Sequence, residues 1–254
     1  MKLTKKLNGF ILAAAVGVFS LGGVNANEVE ASELPIAFQI QAKLIQFIKL
    51  DPELDMLQLK NDTIEYLRDN RIAYSDEVLL NQLNASYEEY RLALEEADEG
   101  YAASGGAPKV WVTLPPAHAG KIFHSKSSTV GVQHGHVGIY GTENSLTQAN
   151  PGRGVTWDHA KSTKVQKGSV ILGVNVGKAT ADTAVARSKE FWGQGYNYNF
   201  ISNKSTKVKA ANCSQLVWAA YKHAGVDLDA NGGSGVYPND ILKDNNTWVY
   251  QTVN

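Results

Sequence analysis

The sequence changes character at residues 102–108, a short stretch of small residues. Before it, apolar residues recur at steps of three and four, a pattern typical of amphipathic helices. After it come short β-type runs, a helical pattern at residues 181–192 and a second one that begins at Cys213. The change predicts a boundary between a small acidic helical domain at residues 27–101 and an α+β domain at residues 108–254. The β-type runs are residues 109–114, 121–124, 130–140 and 169–174.

The helical part contains two start signals and one apolar stripe. Residues 51–53 read Asp-Pro-Glu, which predicts a helix with Asp51 as its N-cap, and residues 75–77 read Ser-Asp-Glu, which predicts another. Gly100 predicts the end of the last helix. We therefore expect three helices of a small bundle, with the stripe in its core. The stripe consists of Leu80, Leu83, Tyr87, Tyr90 and Leu94.

The first residues are typical of an export signal. Three lysines precede an apolar stretch at residues 9–23, and residues 24–26 form a small-x-small cleavage site. The apolar run is shorter than the ~20 residues that a bilayer-spanning helix needs. We therefore expect a signal peptide at residues 1–26 and a secreted or extracytoplasmic protein of the cell envelope. A retained membrane anchor is the alternative.

The charge of the chain divides at the domain boundary. Residues 28–100 carry 17 acidic and 6 basic side chains, whereas residues 101–254 carry 15 basic and 8 acidic ones. We expect the acidic helices to dock against the basic part and to border its groove, with an independent solvated spacer as the alternative. An anionic envelope surface is a second expected partner. Nucleic acid is not, because the chain carries an export signal and lacks an arginine-rich stripe.

Cys213 is the only cysteine of the chain, so no intramolecular disulfide can form. A polar loop ends at Asn212, and the residues that follow are spaced like a helix face, so Cys213 begins a helix. Unpaired N–H groups and the positive end of the helix dipole favour a thiolate at such a position. The N–H of Cys213 could also donate to an oxyanion. The alternative is a small buried side chain with no chemical role.

A thiol nucleophile needs a general base, and histidine is the commonest one. His134 and His136 are two residues apart in a predicted strand and therefore lie on the same face. The strand pattern alone does not identify which of them is the base. Gly138, two residues further on, leaves room for another group to approach. A zinc site is the alternative interpretation, although no HExxH or CxxC frame supports it. The further zinc ligands would be His118, His124 or His159.

Two segments resemble the two halves of the papain-like NlpC/P60 superfamily. Residues 135–140 read Gly-His-Val-Gly-Ile-Tyr and residues 212–214 read Asn-Cys-Ser. In most members the cysteine helix precedes the histidine strand, and here it follows. This order resembles the circularly permuted branch, the YiiX/YycO-like proteins, and the resemblance extends over roughly residues 120–242. Further matching segments are residues 125–129, 149–155, 195–200 and 235–240.

The resemblance implies a papain-like antiparallel sheet with packed helices and assigns roles by position. Cys213 would be the nucleophile and His136 the base. Gln148 would be the third polar residue, which orients the imidazole; an acid or a histidine is commoner there, and an amide adds no charge. Tyr196 would contact the substrate or the oxyanion. No metal or organic cofactor is required.

We therefore expect an exported cysteine peptidase or amidase, a thiol hydrolase that cleaves peptide-type amide bonds. The substrate would be a peptide or a small amide, and cell-wall peptides are the commonest substrates of the superfamily. One alternative is a lipid amide or ester hydrolase or an acyltransferase. Another is a catalytically silent module that binds wall peptide or lipid.

Overall fold

The computed structural model describes residues 34–102, 110–126, 128–129, 132–133, 135–207 and 209–254. It is an α+β protein in which three helices precede a set of antiparallel strands. The expected signal peptide at residues 1–26 lies outside the described residues, as do residues 103–108 of the boundary expected at residues 102–108. In the part that is described, no helix is long and apolar enough to cross a membrane. The first three helices are α1 (Ile36–Leu50), α2 (Met56–Asp69) and α3 (Asp76–Ala102).

The helix start expected at Asp51 is wrong. Asp51 ends α1, and α2 begins at Met56 with Asp55 as the N-cap that accepts from the backbone of Gln58. Asp51 is instead buried, and its carboxylate accepts a hydrogen bond of 2.7 Å from Tyr90. The local pattern predicted a helix cap at Asp51, but the side chain bonds to Tyr90, which is distant in the sequence.

The start of α3 and its apolar stripe are confirmed. Ser75 accepts from the backbone N–H of Val78 at 3.1 Å, which caps the helix one residue before Asp76. Leu83 and Tyr90 are fully buried in the hydrophobic core, and the other stripe residues pack against it. The end expected at Gly100 is two residues early, because α3 continues to Ala102.

The described strands are β1 (Trp111–Thr113), β2 (Ile122–Ser125), β3 (Ser128–Thr129), β4 (Val132–Gln133), β5 (His136–Thr142), β6 (Ser145–Asn150), β7 (Gly154–His159), β8 (Lys164–Gln166), β9 (Val170–Val174) and β10 (Thr247–Thr252). Among them, six form the central sheet, in the order β10-β9-β2-β5-β6-β7, and all neighbours are antiparallel. The expected β-type runs contain β1, β4, β9 and most of β2 and β5, whereas β3, β6, β7, β8 and β10 were not anticipated.

Three further helices complete the described fold. The helix expected at residues 181–192 is α4 (Lys178–Lys189), and the helix expected at Cys213 is α5 (Cys213–His223). A short helix, α6 (Pro238–Lys243), follows. Helix α5 is buried over its first nine residues and packs against α4 and β5. The packing of α5 on the sheet therefore places its first residues beside the first residues of β5.

The helices α1 to α3 dock against the rest of the protein, as their charge led us to expect. Phe47 and Leu59 from the helices belong to the same buried apolar cluster as Phe200 and Tyr237. The ring of Tyr90 stacks on Tyr237, with the ring centroids 6.0 Å apart. Buried apolar area, and not charge alone, therefore stabilises the contact.

Buried polar contacts join the same two parts. The hydroxyl groups of Ser86 and Ser234 are 2.7 Å apart, and the carboxylate of Glu89 accepts from the backbone N–H groups of Ser234 and Gly235. A buried donor that lost its acceptor would cost about 1–3 kcal/mol, so these contacts fix one docking geometry.

Candidate active site

Cys213 is the first residue of α5, as the sequence predicted. The side chain of Asn212 accepts from the backbone N–H of Gln215 at 2.9 Å, which is an N-cap. Asn212 is itself fully buried and receives a second hydrogen bond from Asn203. The cap is therefore held from outside the helix, and the position of Cys213 is fixed with it.

A neighbouring segment supports the same helix end. The hydroxyl group of Ser214 donates to the carbonyl oxygen of Val236 at 2.7 Å, and the backbone N–H of Val236 donates to Asn203 at 2.8 Å. Val236 lies next to Gly235, which contacts Glu89 of α3. The docked helices therefore contact, through one loop, the residues that hold the amino end of α5.

His136 is the first residue of β5, and its ring is hydrogen-bonded to Gln148. Nε2 of His136 and Oε1 of Gln148 are 2.9 Å apart. Gly138 lies directly opposite Gln148 in the sheet, so Gln148 is diagonal to His136 on one face. A carbonyl oxygen only accepts, so Nε2 carries the proton and Nδ1 is left as a base.

A carboxylate that the sequence pattern did not assign to the site contacts Gln148. The amide nitrogen of Gln148 donates to Asp158 at 2.9 Å. The same carboxylate accepts from the hydroxyl group of Thr156 and from the guanidinium group of Arg153, at 2.8 and 3.0 Å. The alternation of Thr156 and Asp158 would have placed both on the face of Gln148 if β7 had been recognised as a strand.

Tyr196 lies near Cys213 and is half-buried. Burial raises the pKa of its hydroxyl group, and the nearby Cys213, Tyr198 and Asp51 raise that pKa further. The phenol is therefore neutral over the physiological range and can donate a hydrogen bond. The ring of Tyr198 stands edge-on to Tyr196, with 4.9 Å between centroids, which limits the orientations open to the phenol.

These side chains surround one open cavity of about 510 Å³. The described residues of the docked helices do not line it, so the expectation that those helices border the groove is wrong. Asp51, which follows α1, contributes to the cavity only through its negative charge, which raises the pKa of Tyr196. The lining residues include Cys213, His136, Gln148, Tyr196 and Asp158, together with Trp111, Lys126, Arg153, Lys164 and Phe200.

The thiol is not poised as a resting thiolate, contrary to the expectation from its helix position. Burial raises the pKa of Cys213 to about 11, although backbone N–H groups of Val137, Ser214 and Cys213 itself lower it. Burial also lowers the pKa of His136, and the hydrogen bond to Gln148 offsets only part of this effect. Both groups are therefore neutral at rest, because a low-dielectric environment penalises either charged form.

The remaining histidines do not form a metal centre in the described part of the chain. No three His, Cys, Asp or Glu residues there lie close enough together to hold a metal ion. His124 is buried beside Asn239 at 3.2 Å, and burial lowers the pKa of His124 to about 4. His159 packs edge-on against Trp157, with 4.5 Å between ring centroids. His134 lies outside the described residues.

Fold and site together define an α+β protein with a buried cysteine, a histidine and an oriented amide at one cavity. The chain is similar to the uncharacterized protein YycO of Bacillus subtilis (strain 168), with 35% identity over 169 residues. The matched region covers 64% of this chain and 66% of that protein. No family model and no solved structure match the chain. The relative agrees with the YycO-like resemblance, and its name states no activity.

Proposed function

We propose that the protein is a thiol hydrolase of amide bonds, built as a circularly permuted NlpC/P60-like domain. One observation carries the proposal: Cys213, at the amino end of a buried helix, shares a cavity with His136, whose ring Gln148 fixes through Nε2. A cysteine buried for packing alone would need neither a neighbouring base nor an orienting amide.

The first step is a proton transfer coupled to attack. Nδ1 of His136 takes the thiol proton as the sulfur of Cys213 bonds to the substrate carbonyl carbon. Transfer during attack suits the raised thiol pKa, because no isolated thiolate has to exist in the buried site. The carbonyl oxygen becomes an oxyanion, to which the N–H of Cys213 and the hydroxyl group of Tyr196 donate.

The second half of the reaction releases both products. The tetrahedral intermediate collapses as His136 returns its proton to the leaving amine, and an acyl thioester remains on Cys213. Water then gives a proton to His136 and attacks the thioester carbonyl. The carbon–sulfur bond breaks, the acid leaves, and His136 returns its proton to the sulfur of Cys213. An amine in place of water would give acyl transfer by the same steps.

The cavity favours a polar substrate such as a peptide. Lys126 and Lys164 bring positive charge to its lining, whereas Arg153 and Asp158 form an ion pair with each other. Trp111 adds an aromatic surface. Cell-wall peptides combine amide bonds with carboxylates, and we propose them as the substrate class.

Trapping of the acyl-enzyme tests the activity. The protein is incubated with p-nitrophenyl acetate, and separately with peptides released from cell wall, and intact-protein mass spectrometry follows. We expect a mass increase by the acyl group on Cys213, a new free amine from the peptides, and neither in Cys213→Ala. Absence of any adduct on Cys213 with both substrates would contradict a hydrolase and support a binding module.

We also propose that the protein acts outside the cytoplasmic membrane. Support comes from residues 1–26, whose basic, apolar and small-residue segments match an export signal. Mass spectrometry of the mature protein in cell fractions tests this location. An amino terminus after Ala26 in the extracytoplasmic fraction is the expected result, and an uncleaved chain in the membrane would indicate an anchor.

A further inference from the structure

We propose that Asp158 is a positioning residue that sets the protonation site of His136 through Gln148. The inference rests on the proposed function of His136 as a base. Gln148 bridges the other two residues, because its oxygen faces Nε2 of His136 at 2.9 Å and its nitrogen faces the carboxylate of Asp158 at 2.9 Å. The described hydrogen bonds of Asp158 go to Gln148, Arg153 and Thr156, so its link to His136 runs through Gln148.

The direction of the bridge follows from the chemistry of its two ends. An amide side chain donates at one end and accepts at the other, and its two orientations have almost the same shape. A carboxylate accepts only, so the NH₂ group of Gln148 must face Asp158 and the oxygen must face His136. Nε2 then has to carry the imidazole proton, and Nδ1 is free to take the thiol proton.

The neighbours of Asp158 keep its carboxyl group ionised, which its positioning role requires. Thr156 donates to the same oxygen that Gln148 contacts, and Arg153 donates to the other oxygen. Burial alone would raise the pKa of this carboxyl group, but the hydrogen bonds from Gln148, Thr156 and Arg153 outweigh it and lower the pKa below its ordinary value. The group therefore remains an ionised acceptor at neutral pH.

Loss of the carboxylate would remove the preference for one amide orientation. In Asp158→Asn the introduced amide can face Gln148 with either its oxygen or its nitrogen. Gln148 can then turn its NH₂ group toward Nε2 of His136, which moves the ring proton to Nδ1. That tautomer has no lone pair for the thiol proton, so the base is lost while the packing is nearly unchanged.

The test measures the tautomer directly, in the full chain and without substrate. Long-range ¹H–¹⁵N spectra of histidine-labelled protein distinguish a proton on Nε2 from one on Nδ1. We expect Nε2 protonation of His136 in the wild type and a mixed or Nδ1-protonated ring in Asp158→Asn. The control is Glu143→Gln, the same acid-to-amide change on an exposed turn of the same sheet, which should leave the ring unchanged.

Exchange of the acid and the amide between positions 148 and 158 should restore the wild-type tautomer of His136. In the double variant Gln148→Glu with Asp158→Asn, a carboxylate faces His136 directly and the amide at 158 can donate to it, so Nε2 protonation should return. This variant also keeps the test valid if Asp158→Asn alone does not fold. For hydrolysis we expect kcat to fall about 10- to 100-fold in Asp158→Asn, with KM within about twofold, and to recover in the double variant.

Two outcomes separate this inference from the proposed function. An unchanged Nε2-protonated ring in Asp158→Asn would overturn the role of Asp158, even if the wild type is an active hydrolase. A tautomer change in a protein that forms no acyl-enzyme would support the role of Asp158 while the proposed hydrolase fails.

Discussion

Gly138 lies directly opposite Gln148 on the adjacent strand, and a methyl group on Gly138 would come within 3.0 Å of Cβ of Gln148. The same methyl group would meet a ring carbon of Phe123 at 2.5 Å and the carbonyl oxygen of Thr147 at 2.9 Å. Carbon atoms do not approach so closely, and the carbonyl of a central strand cannot move away cheaply. The missing side chain of Gly138 therefore makes room for Phe123 and Gln148, both of which contact the ring of His136.

Gly138→Ala should displace Phe123 or Gln148, both of which contact His136, and reduce activity. Overpacking of a core costs about 1–3 kcal/mol in unfolding free energy, and we expect a loss in that range by urea denaturation. We also expect the acylation rate of Cys213 to fall by about tenfold or more, because one ångström of misplacement at a catalytic group is costly.

The matched control is Gly141→Ala on the same strand. A methyl group there meets only the hydroxyl group of Ser145 at 3.7 Å and a carbon of the Lys189 side chain at 3.8 Å, which are ordinary contacts. Stability and acylation rate should both stay near the wild-type values. Equal effects of the two substitutions would show that the strand tolerates no alanine and that Gln148 is not the cause.

Cys213→Ala and His136→Ala should each abolish acyl-enzyme formation while the fold persists. The cysteine supplies the attacking sulfur, and general base catalysis contributes about 10²- to 10⁴-fold. Intact-protein mass and circular dichroism give the two readouts. His134→Ala should keep most activity; a loss equal to that of His136→Ala would point to a shared metal ion and would contradict the dyad.

The acylation rate should depend on pH through protonation of His136 and not through ionisation of the Cys213 thiol. The base must be neutral, and burial lowers the pKa of His136 below its ordinary value of 6.5. The acylation rate should therefore rise with pH and reach a plateau by about pH 7. The plateau should persist past about pH 9, because burial raises the thiol pKa to about 11.

Stopped-flow acylation, corrected for the background of Cys213→Ala, measures this profile. Alkylation of Cys213 by iodoacetamide across the same pH range gives an independent thiol pKa. A thiol that titrates below pH 8 would mean that a thiolate–imidazolium pair exists at rest, and the neutral pair inferred from burial would be wrong.

Local sequence patterns predicted those parts of the site that depend on local structure. The polar loop that ends at Asn212 and the helical spacing after it placed Cys213 at a helix start, and α5 begins there. Helix propensity and capping act over a few residues, so this feature is visible in the sequence. The pairing of His136 with Gln148 came from resemblance, and the sheet register shows the physical reason for it.

Features that depend on tertiary packing were missed. Asp51 appeared to be a helix cap because the pattern does not reveal its bond to Tyr90, 39 residues away. Asp158 was not among the predicted site residues because β7 was not recognised, and without that strand its place beside Gln148 is not visible. The direction in which the thiol pKa shifts depends on the burial of Cys213, which only the folded chain determines.

Glu89 and its neighbour Glu88 provide a paired test of helix docking. Glu89 is directed into the interface, where it accepts from two backbone N–H groups at 3.1 and 3.3 Å, those of Ser234 and Gly235. Glu88 faces solvent, with 60% of its side chain exposed, and pairs with Arg91 on the same helix. Two adjacent carboxylates therefore differ in whether they contact the rest of the protein.

Glu89→Ala should destabilise the protein by about 1–3 kcal/mol, because two part-buried N–H groups lose their acceptor. Glu88→Ala should change stability by only ~0–1 kcal/mol, since exposed ion pairs contribute little. The acylation rate should also fall in Glu89→Ala alone, because the loop that Glu89 holds includes Val236, which accepts from Ser214 next to Cys213. Urea unfolding and acyl-enzyme kinetics are measured on both full-length variants. If Glu89→Ala unfolds and reacts like Glu88→Ala, the carboxylate of Glu89 contributes neither to the stability of the docked helices nor to order at Cys213.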